Sequence, residues 1–203
     1  MDSQCKKCRR AGQKLLLKGE RCFTPKCAMI KKPYPPGLHG KKRRPAPSEY
    51  GAQLAEKQKL RRIYGIGERQ LKKYFKEADQ SKGVTTDLLL TKLERRIDNV
   101  VFRLGWAESR AKARQIVSHG HISLNNRRID IPSIIIKKGD KIRIKKSSLA
   151  KPLFKDLEIR LKKVKLPIWL SSDKLEAVVR SLPDRQDIEI PVDLQMIVEY
   201  YSR

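Results

Sequence analysis

Four cysteines, Cys5, Cys8, Cys22 and Cys27, fall within the first 27 residues, separated by two, thirteen and four residues. Two close pairs joined by a short loop can fold as two knuckles that bring four thiolates to the corners of a tetrahedron. Lys6, Lys7, Arg9, Arg10, Lys14, Lys18, Arg21 and Lys26 lie between them and would offset the charge of a tetrathiolate site. A bound ion also supplies folding free energy that so polar a segment cannot draw from a core. Zinc is the expected metal, and an iron–sulfur cluster on the same four thiolates is the alternative. Disulfides are disfavoured, since nothing in the chain indicates an oxidising compartment. His39 is near in sequence, but four thiolates already fill a tetrahedron, so loop packing or a phosphate contact suits it better.

The second constellation is SRAKARQIVSHGHISLNN, residues 109–126. Ser109 is placed to cap a helix, and Ala111, Ala113, Ile116 and Val117 give that helix a narrow apolar face. Arg110 and Arg114 share another face. Gly120 stops the helix, residues 121–124 alternate as a strand, and Asn125 with Asn126 suits a tight turn. A rigid helix and hairpin bearing Arg110, Arg114, His119, His121 and Asn125 is suited to gripping folded RNA. For the two histidines, packing within the hairpin is the competing expectation.

The charge supports a polyanionic partner. The 203 residues carry 48 Lys and Arg against 22 acids, a net +26. Such an excess repels itself unless an anion relieves it. Residues 1–50, 51–100, 101–150 and 151–203 carry +11, +5, +9 and +1, so the first three quarters are expected to meet the anion and the last to be structural. Nucleic acid is the expected partner, with an anionic membrane the weaker rival. No apolar run exceeds four residues, so neither a membrane span nor a signal-peptide core is expected, and the expected location is the cytoplasm or an organelle's matrix or stroma. Aromatics at 6% argue for phosphate and shape contacts to structured RNA over single-strand stacking.

The elements that would position these groups read as α+β. Residues 31–50, with five prolines and the run Lys41, Lys42, Arg43 and Arg44, read as an extended basic arm. A helix over 48–62 carries Lys57 and Arg61, and a second over 68–80 turns Leu71, Tyr74, Phe75 and Ala78 inward and Arg69, Lys72, Lys73 and Lys76 outward. Thr86 can cap a third. Residues 93–105, as one helix or two abutting ones, set Arg95, Asn99 and Arg103 along one edge. Asp98 is expected to cap a turn or pair with an arginine. Strands are expected at 121–124, 127–131, 134–136 and 141–144, with an edge strand at 167–170, a helix over 150–165 and a C-terminal helix through Leu194, Ile197, Val198 and Tyr201. No phosphate loop, HExxH or nucleophile elbow is present.

KGERC (18–22), KCAM (26–29), PYPPGLHG (33–40), EKQKLRRIYGIGERQ (56–70), RRIDNVVFRLG (95–105) and the ending PVDLQMIVEYYSR make the chain similar to the bacterial ribosomal protein S4 family along nearly its whole length. The resemblance implies a helical domain built from the N-terminal region and the C-terminal tail, and an inserted RNA-binding domain; since the family also has cysteine-free members, the metal rests on this chain's own cysteines. The expected divisions are a metal knuckle and basic arm over 1–47, the helical domain over 48–93 with 180–203, and the inserted domain over 94–179. The resemblance also implies a structural, non-enzymatic constituent of the small ribosomal subunit in the cytoplasm. Such a protein binds the 5′ domain of 16S rRNA, nucleates assembly of the subunit body, touches neighbouring small-subunit proteins and takes no small-molecule substrate. Lys41, Lys42, Arg43 and Arg44 best match the family's basic residues at the tunnel where mRNA enters. The expected rRNA-binding set is Lys57, Lys59, Arg61, Arg62, Arg69, Lys72, Lys73, Arg95, Arg96, Asn99, Arg103, Ser109, Arg110, Arg114, His119, His121 and Asn125. An RNA-modifying enzyme carrying the same module would need a catalytic domain that this chain does not suggest. A zinc-containing DNA regulator is the other rival. On this reading, converting Arg110 and Arg114 to Glu weakens RNA binding and leaves the fold intact.

Overall fold

The computed structural model describes residues 4–42 and 45–203, so Arg43 and Arg44 lie outside the described residues. In chain order the helices are α1 (Gln4–Ala11), α2 (Ala28–Lys31), α3 (Glu49–Tyr64), α4 (Glu68–Asp79), α5 (Thr85–Glu94), α6 (Ile97–Arg103), α7 (Arg110–Ser118), α8 (Leu157–Lys163) and α9 (Leu194–Ser202). The strands are β1 (Ile122–Leu124), β2 (Arg127–Ile129), β3 (Lys141–Ile144), β4 (Leu170–Asp173) and β5 (Glu176–Val179). Two compact units result: the N-terminal region through Thr86 with Ile190–Arg203, and Asp87–Glu189.

In the first unit, α3 begins where the Ser48 hydroxyl accepts the Gly51 amide at 3.2 Å and ends at Gly65, whose φ of +66° lets the chain turn. Leu60, Ile63 and Tyr64 of α3 are buried, as are Leu71, Tyr74, Phe75 and Ala78 of α4, one stripe at helical spacing. The chain end closes this unit. Asp193 caps α9 by accepting the Gln195 amide at 2.9 Å, and α9 packs along α3 with Leu194 and Ile197 buried. The Tyr50 and Tyr200 rings lie 5.5 Å apart, and Gln53 Nε2 donates to Glu199 at 3.1 Å.

In the second unit, the five strands form one antiparallel sheet in the order β2-β1-β3-β5-β4. Register places Ile122 opposite Ile129 and Ile144, and Ile142 opposite Ala177, so one face of the sheet is apolar. That face joins Val100, Val101, Ile116, Val117, Trp106, Phe154 and Trp169 in one core.

Several elements differ from the sequence reading, whereas residues 93–105 take one of the two expected arrangements, two abutting helices: α5 stops at Glu94, and Arg96 is extended at ψ 134°. The residues expected as a strand at 134–136 cause this. Ile97 N donates to Ile134 O, and Ile136 N to Arg95 O, both at 2.9 Å, so this apolar run pairs with the helix break and not with the sheet. The sheet instead gains β5, which periodicity did not mark, and its edge strand starts at Leu170, beyond the proline. The polyproline arm is not extended either. Residues 34–42 turn back on themselves, with Gly40 N donating to Gly37 O and Lys42 N to His39 O at 3.2 Å each. A Cβ on Gly40 would lie 2.0 Å from Pro35 O, so only glycine allows this closure. The second unit also starts before residue 94 and ends after 179. Leu89 and Leu90 are buried in α5, and Thr91 Oγ1 donates to Pro183 O at 3.2 Å, tying the loop after β5 to that helix.

All six tyrosines lie in the first unit and both tryptophans in the second, so the two are separable by spectroscopy. Ile197→Ala, at a fully buried site, is expected to remove about 2–5 kcal/mol from the first unit. Chemical denaturation followed by tyrosine signal should show an earlier midpoint, with the tryptophan transition unmoved.

Candidate nucleic-acid interface

Glu94, at the end of α5, is fully buried in a strongly basic chain. Its carboxylate accepts Asn99 Nδ2 at 2.7 Å and two nitrogens of Arg103 at 2.9 and 2.8 Å, while Arg110 Nη2 stands at 3.9 Å. Arg110 Nε donates to Asn99 Oδ1 at 2.7 Å, and its guanidinium sits 4.6 Å from the Phe102 ring centre. One turn away, Asp98 accepts Arg96 at 2.6 and 3.1 Å and lies 3.5 Å from Arg114. A carboxylate moved from water into a core costs several kcal/mol unless charge-assisted bonds replace its hydration, and here they do. Asp98 therefore pairs with arginines, as its position suggested.

This network sorts the arginines expected at the RNA surface. Arg96 and Asn99 are buried, with Asn99 using its amide on Glu94 and Arg110. Arg95 donates Nε to Ile136 O at 2.9 Å and, because of the helix break, does not share a helical edge with Asn99 and Arg103. Side chains of Arg103 and Arg110 remain 22% and 17% exposed, whereas Arg114 is half exposed at 50%. Arg114 is thus the member of this set that faces solvent most.

On α7 and its hairpin, the Ser109 hydroxyl is spent on the Lys112 amide at 3.3 Å. His119 is exposed. His121 is buried, with Nδ1 3.0 Å from Ser148 Oγ and its ring edge-on to Phe154. Burial, then the charges of Lys151, His119, Lys145 and Arg128, hold its pKa below the usual histidine range. Asn125 and Asn126 take the expected left-handed turn at φ +49° and +66°. The Asn125 amide also clamps β3, donating to Asp140 at 2.8 Å and accepting the Lys141 amide at 2.9 Å.

In the first unit, Lys57 is buried, donating to Glu68 at 2.7 Å with its ammonium 4.0 Å from the Tyr200 ring centre. Glu68 also accepts Arg61 and Tyr201, both at 2.9 Å. Burial alone would raise the Glu68 pKa, but these bonds outweigh it and hold it low. Lys59 pairs with Glu56, and Arg62 donates to Lys7 O at 3.5 Å. Arg69, Lys72, Lys73 and Lys76 form an exposed row on α4, where Lys73 approaches Glu77 at 3.9 Å. Lys76 belongs with the others by its helical spacing. Arg9 reaches the folded arm, donating Nε to Tyr34 O at 2.9 Å and stacking 4.8 Å from the Tyr34 ring centre. Lys41 and Lys42 are exposed on that arm, as is His39.

The four cysteines line one pocket: Cys5 and Cys8 on α1, Cys22 in the 3-10 turn Gly19–Phe23, and Cys27 just before α2. All are free thiols, and the Lys18 amide donates to Cys22 Sγ at 3.4 Å. Burial, and then the nearness of the other three sulfurs, pushes the Cys8 thiol up. Among the described residues no three His, Cys, Asp or Glu side chains meet closely enough to form a finished ion site. The donor set still fits zinc: four sulfurs on one pocket, one backbone amide on a sulfur, and mutual repulsion that a cation would relieve.

Comparison with known proteins gives two adjoining matches: the ribosomal protein S4/S9 N-terminal domain over residues 1–94 and the S4 domain over residues 95–142. The chain belongs to the ribosomal protein S4 family. It is 51% identical over 201 residues to small ribosomal subunit protein uS4 of Thermus thermophilus, covering 98% of this chain and 96% of the relative. The Syntrophomonas wolfei uS4 is 50% identical over 204 residues, covering 100% and 98%. The S4-domain match begins at the α5–α6 break and ends inside β3, while the unit that contains it runs to Glu189. Residues 143–189 of this family member therefore complete the sheet from outside the matched segment.

The network divides the two arginines of α7. Arg114→Glu, at a half-exposed side chain, is expected to lower the tryptophan melting midpoint less than Arg110→Glu and to weaken RNA retention on a filter. Arg110→Glu brings a carboxylate against buried Glu94 and should cost about 3–5 kcal/mol, a correction to the expectation that both changes spare the fold. Equal melting curves for the two variants would contradict this division.

Proposed function

We propose that the chain is a structural constituent of the small ribosomal subunit in the cytoplasm that binds 16S rRNA within its 5′ domain early in assembly of the subunit body. The observation that carries this reading is full-length similarity to uS4 proteins of the small subunit, in a chain with net charge +26. The Arg114 edge, the α4 row of Arg69, Lys72 and Lys73, and exposed His119 supply the phosphate and 2′-hydroxyl contacts. Arg96, Asn99, Ser109, Asn125 and Lys57 act one step back, by holding the binding elements in place. Neighbouring small-subunit proteins are further partners, and the run from Lys41 to Arg44 faces mRNA where it enters. The chain is not an enzyme on this reading: its buried acids serve ion pairs. Hydroxyl-radical footprinting on a 16S rRNA transcript tests the assignment. Protection concentrated in the 5′ domain is expected, and uniform protection, or equal binding to duplex DNA, would refute it.

Cys5, Cys8, Cys22 and Cys27 would hold one zinc ion, which when bound cross-links α1, the Gly19–Phe23 turn and α2 into one knuckle. An iron–sulfur cluster on the same thiolates is the alternative. Protein purified anaerobically should contain about one zinc per chain. Cys22→Ser should lose it, and chelation should make the first 30 residues protease-sensitive while the tryptophan signal stays native. Iron with a visible chromophore would select the cluster.

A further inference from the structure

The paired arginines of α5–α7 contrast with a second group of cations in the same unit. At the end of α7, a Cβ on Gly120 would lie 2.4 Å from Arg128 Nε, so this guanidinium rests directly against the helix terminus. His119 stands beside His121 with ring centres 6.0 Å apart. The next two cations are brought in by the backbone. Lys145 N donates to His121 O at 3.0 Å, and Lys151 N donates to the carbonyl of Ser148, whose hydroxyl meets His121, at 3.0 Å. The side chains of His119, Arg128 and Lys151 are exposed and that of Lys145 is half-buried, and all four act electrostatically on the buried His121. Among the described residues Arg128, Lys145 and Lys151 form no ion pair, unlike Arg96, Arg103, Arg110 and Arg114.

Arg128, Lys145 and Lys151, brought to the end of α7 beside the exposed His119 ring and without carboxylate partners, repel one another in the free protein and are relieved by an anion. Lys145 and Lys151 fall beyond residue 142, where the S4-domain match stops. Lys151 is also hidden by the near-neutral final quarter: residues 151–165 carry +4 and residues 166–203 carry −3. We propose that His119, Arg128, Lys145 and Lys151 form a second phosphate-binding site of the Asp87–Glu189 unit, which takes the backbone of folded rRNA against the glycine-capped end of α7. This rests on the rRNA-binding reading above and adds a place of contact to it. The ligand is a phosphodiester, because the cluster is dominated by two point charges and one guanidinium fork, with His119 its single ring.

Filter binding of the full-length protein to a 16S rRNA 5′-domain transcript over a range of salt tests it. In the variant Arg128→Gln, Lys145→Gln, Lys151→Gln, the slope of log affinity against log salt should fall by about two to three. The variant Lys137→Gln, Lys138→Gln, Lys141→Gln removes the same charge from the same unit at another turn and should lower the slope by less than about one. An unchanged slope in the first variant, or an equal fall in both, overturns the site while leaving rRNA binding intact. Native protein that fails to prefer the transcript over an unrelated RNA instead overturns the rRNA-binding reading, and this site with it. If Arg128→Gln disturbs the tryptophan melt, Lys145→Gln with Lys151→Gln carries the test alone, with an expected fall of about one to two.

Discussion

A buried carboxylate in a chain of net charge +26 must be surrounded by its own cations before any RNA arrives. Glu94 meets that requirement with groups from α6 and α7, so one side chain at the end of α5 ties three helices together. Asp98 repeats the arrangement with Arg96 and Arg114. Without the carboxylates, four arginines would crowd one helix junction with only water to separate them. With them, the guanidiniums become cross-links whose direction is set by two-pronged bonds. The orientation of α7, and of the hairpin that follows it, depends on this junction.

The first unit solves the same problem with Glu68. Lys57, Arg61 and Tyr201 converge on it from α3 and α9, and Lys57 is further held over the Tyr200 ring. The last residues of the chain thus complete a site begun by residues near position 60. Burial and the neighbouring Glu68 carboxylate keep the Tyr201 hydroxyl protonated, so it remains a donor across the ordinary pH range. A helix as short as α9 is marginal alone, and these contacts, with Leu194 and Ile197, are what hold it.

What could be read in the sequence follows the range of the physics involved. α3 has a serine cap and a glycine stop, α9 an aspartate cap, and all three of α3, α4 and α9 an apolar stripe, and their positions follow from those local signals. The Asn125–Asn126 turn is local in the same sense. The Ile134–Ile136 run fails because its partner is the α5–α6 break some 40 residues earlier, and no local pattern reports that. The polyproline arm looks stiff by composition, yet Gly40 and Arg9 fold it back. Among site residues, Arg95, Asn99 and Arg103 have the right types at a spacing that suits one helix. What the spacing cannot convey is that Glu94 stands among them and turns Asn99 and Arg103 inward. Lys151 escaped notice because averaging charge over the last quarter of the chain cancelled it against an acidic end, and Lys145 because its neighbours in space are distant in sequence.

The two basic side chains are used for different tasks. The deeply placed cations of the second unit are mostly arginines, Arg96, Arg103, Arg110 and Arg160, each against a carboxylate. The exposed ones of that unit are mostly lysines: Lys137, Lys138, Lys146, Lys151, Lys155 and Lys162. Guanidinium is the more weakly hydrated ion and offers a planar fork, so it loses less on burial and fixes an angle when it binds. Ammonium is strongly hydrated and directionless, which makes it costly inside and serviceable against a phosphate whose exact position varies. Lys57 is the exception, and it is enclosed by a carboxylate and two tyrosine rings. A chain built this way sets the shape of its binding surface with arginines held internally and draws most of its attraction from lysines outside. Its grip on RNA should therefore be lost to salt long before its shape is.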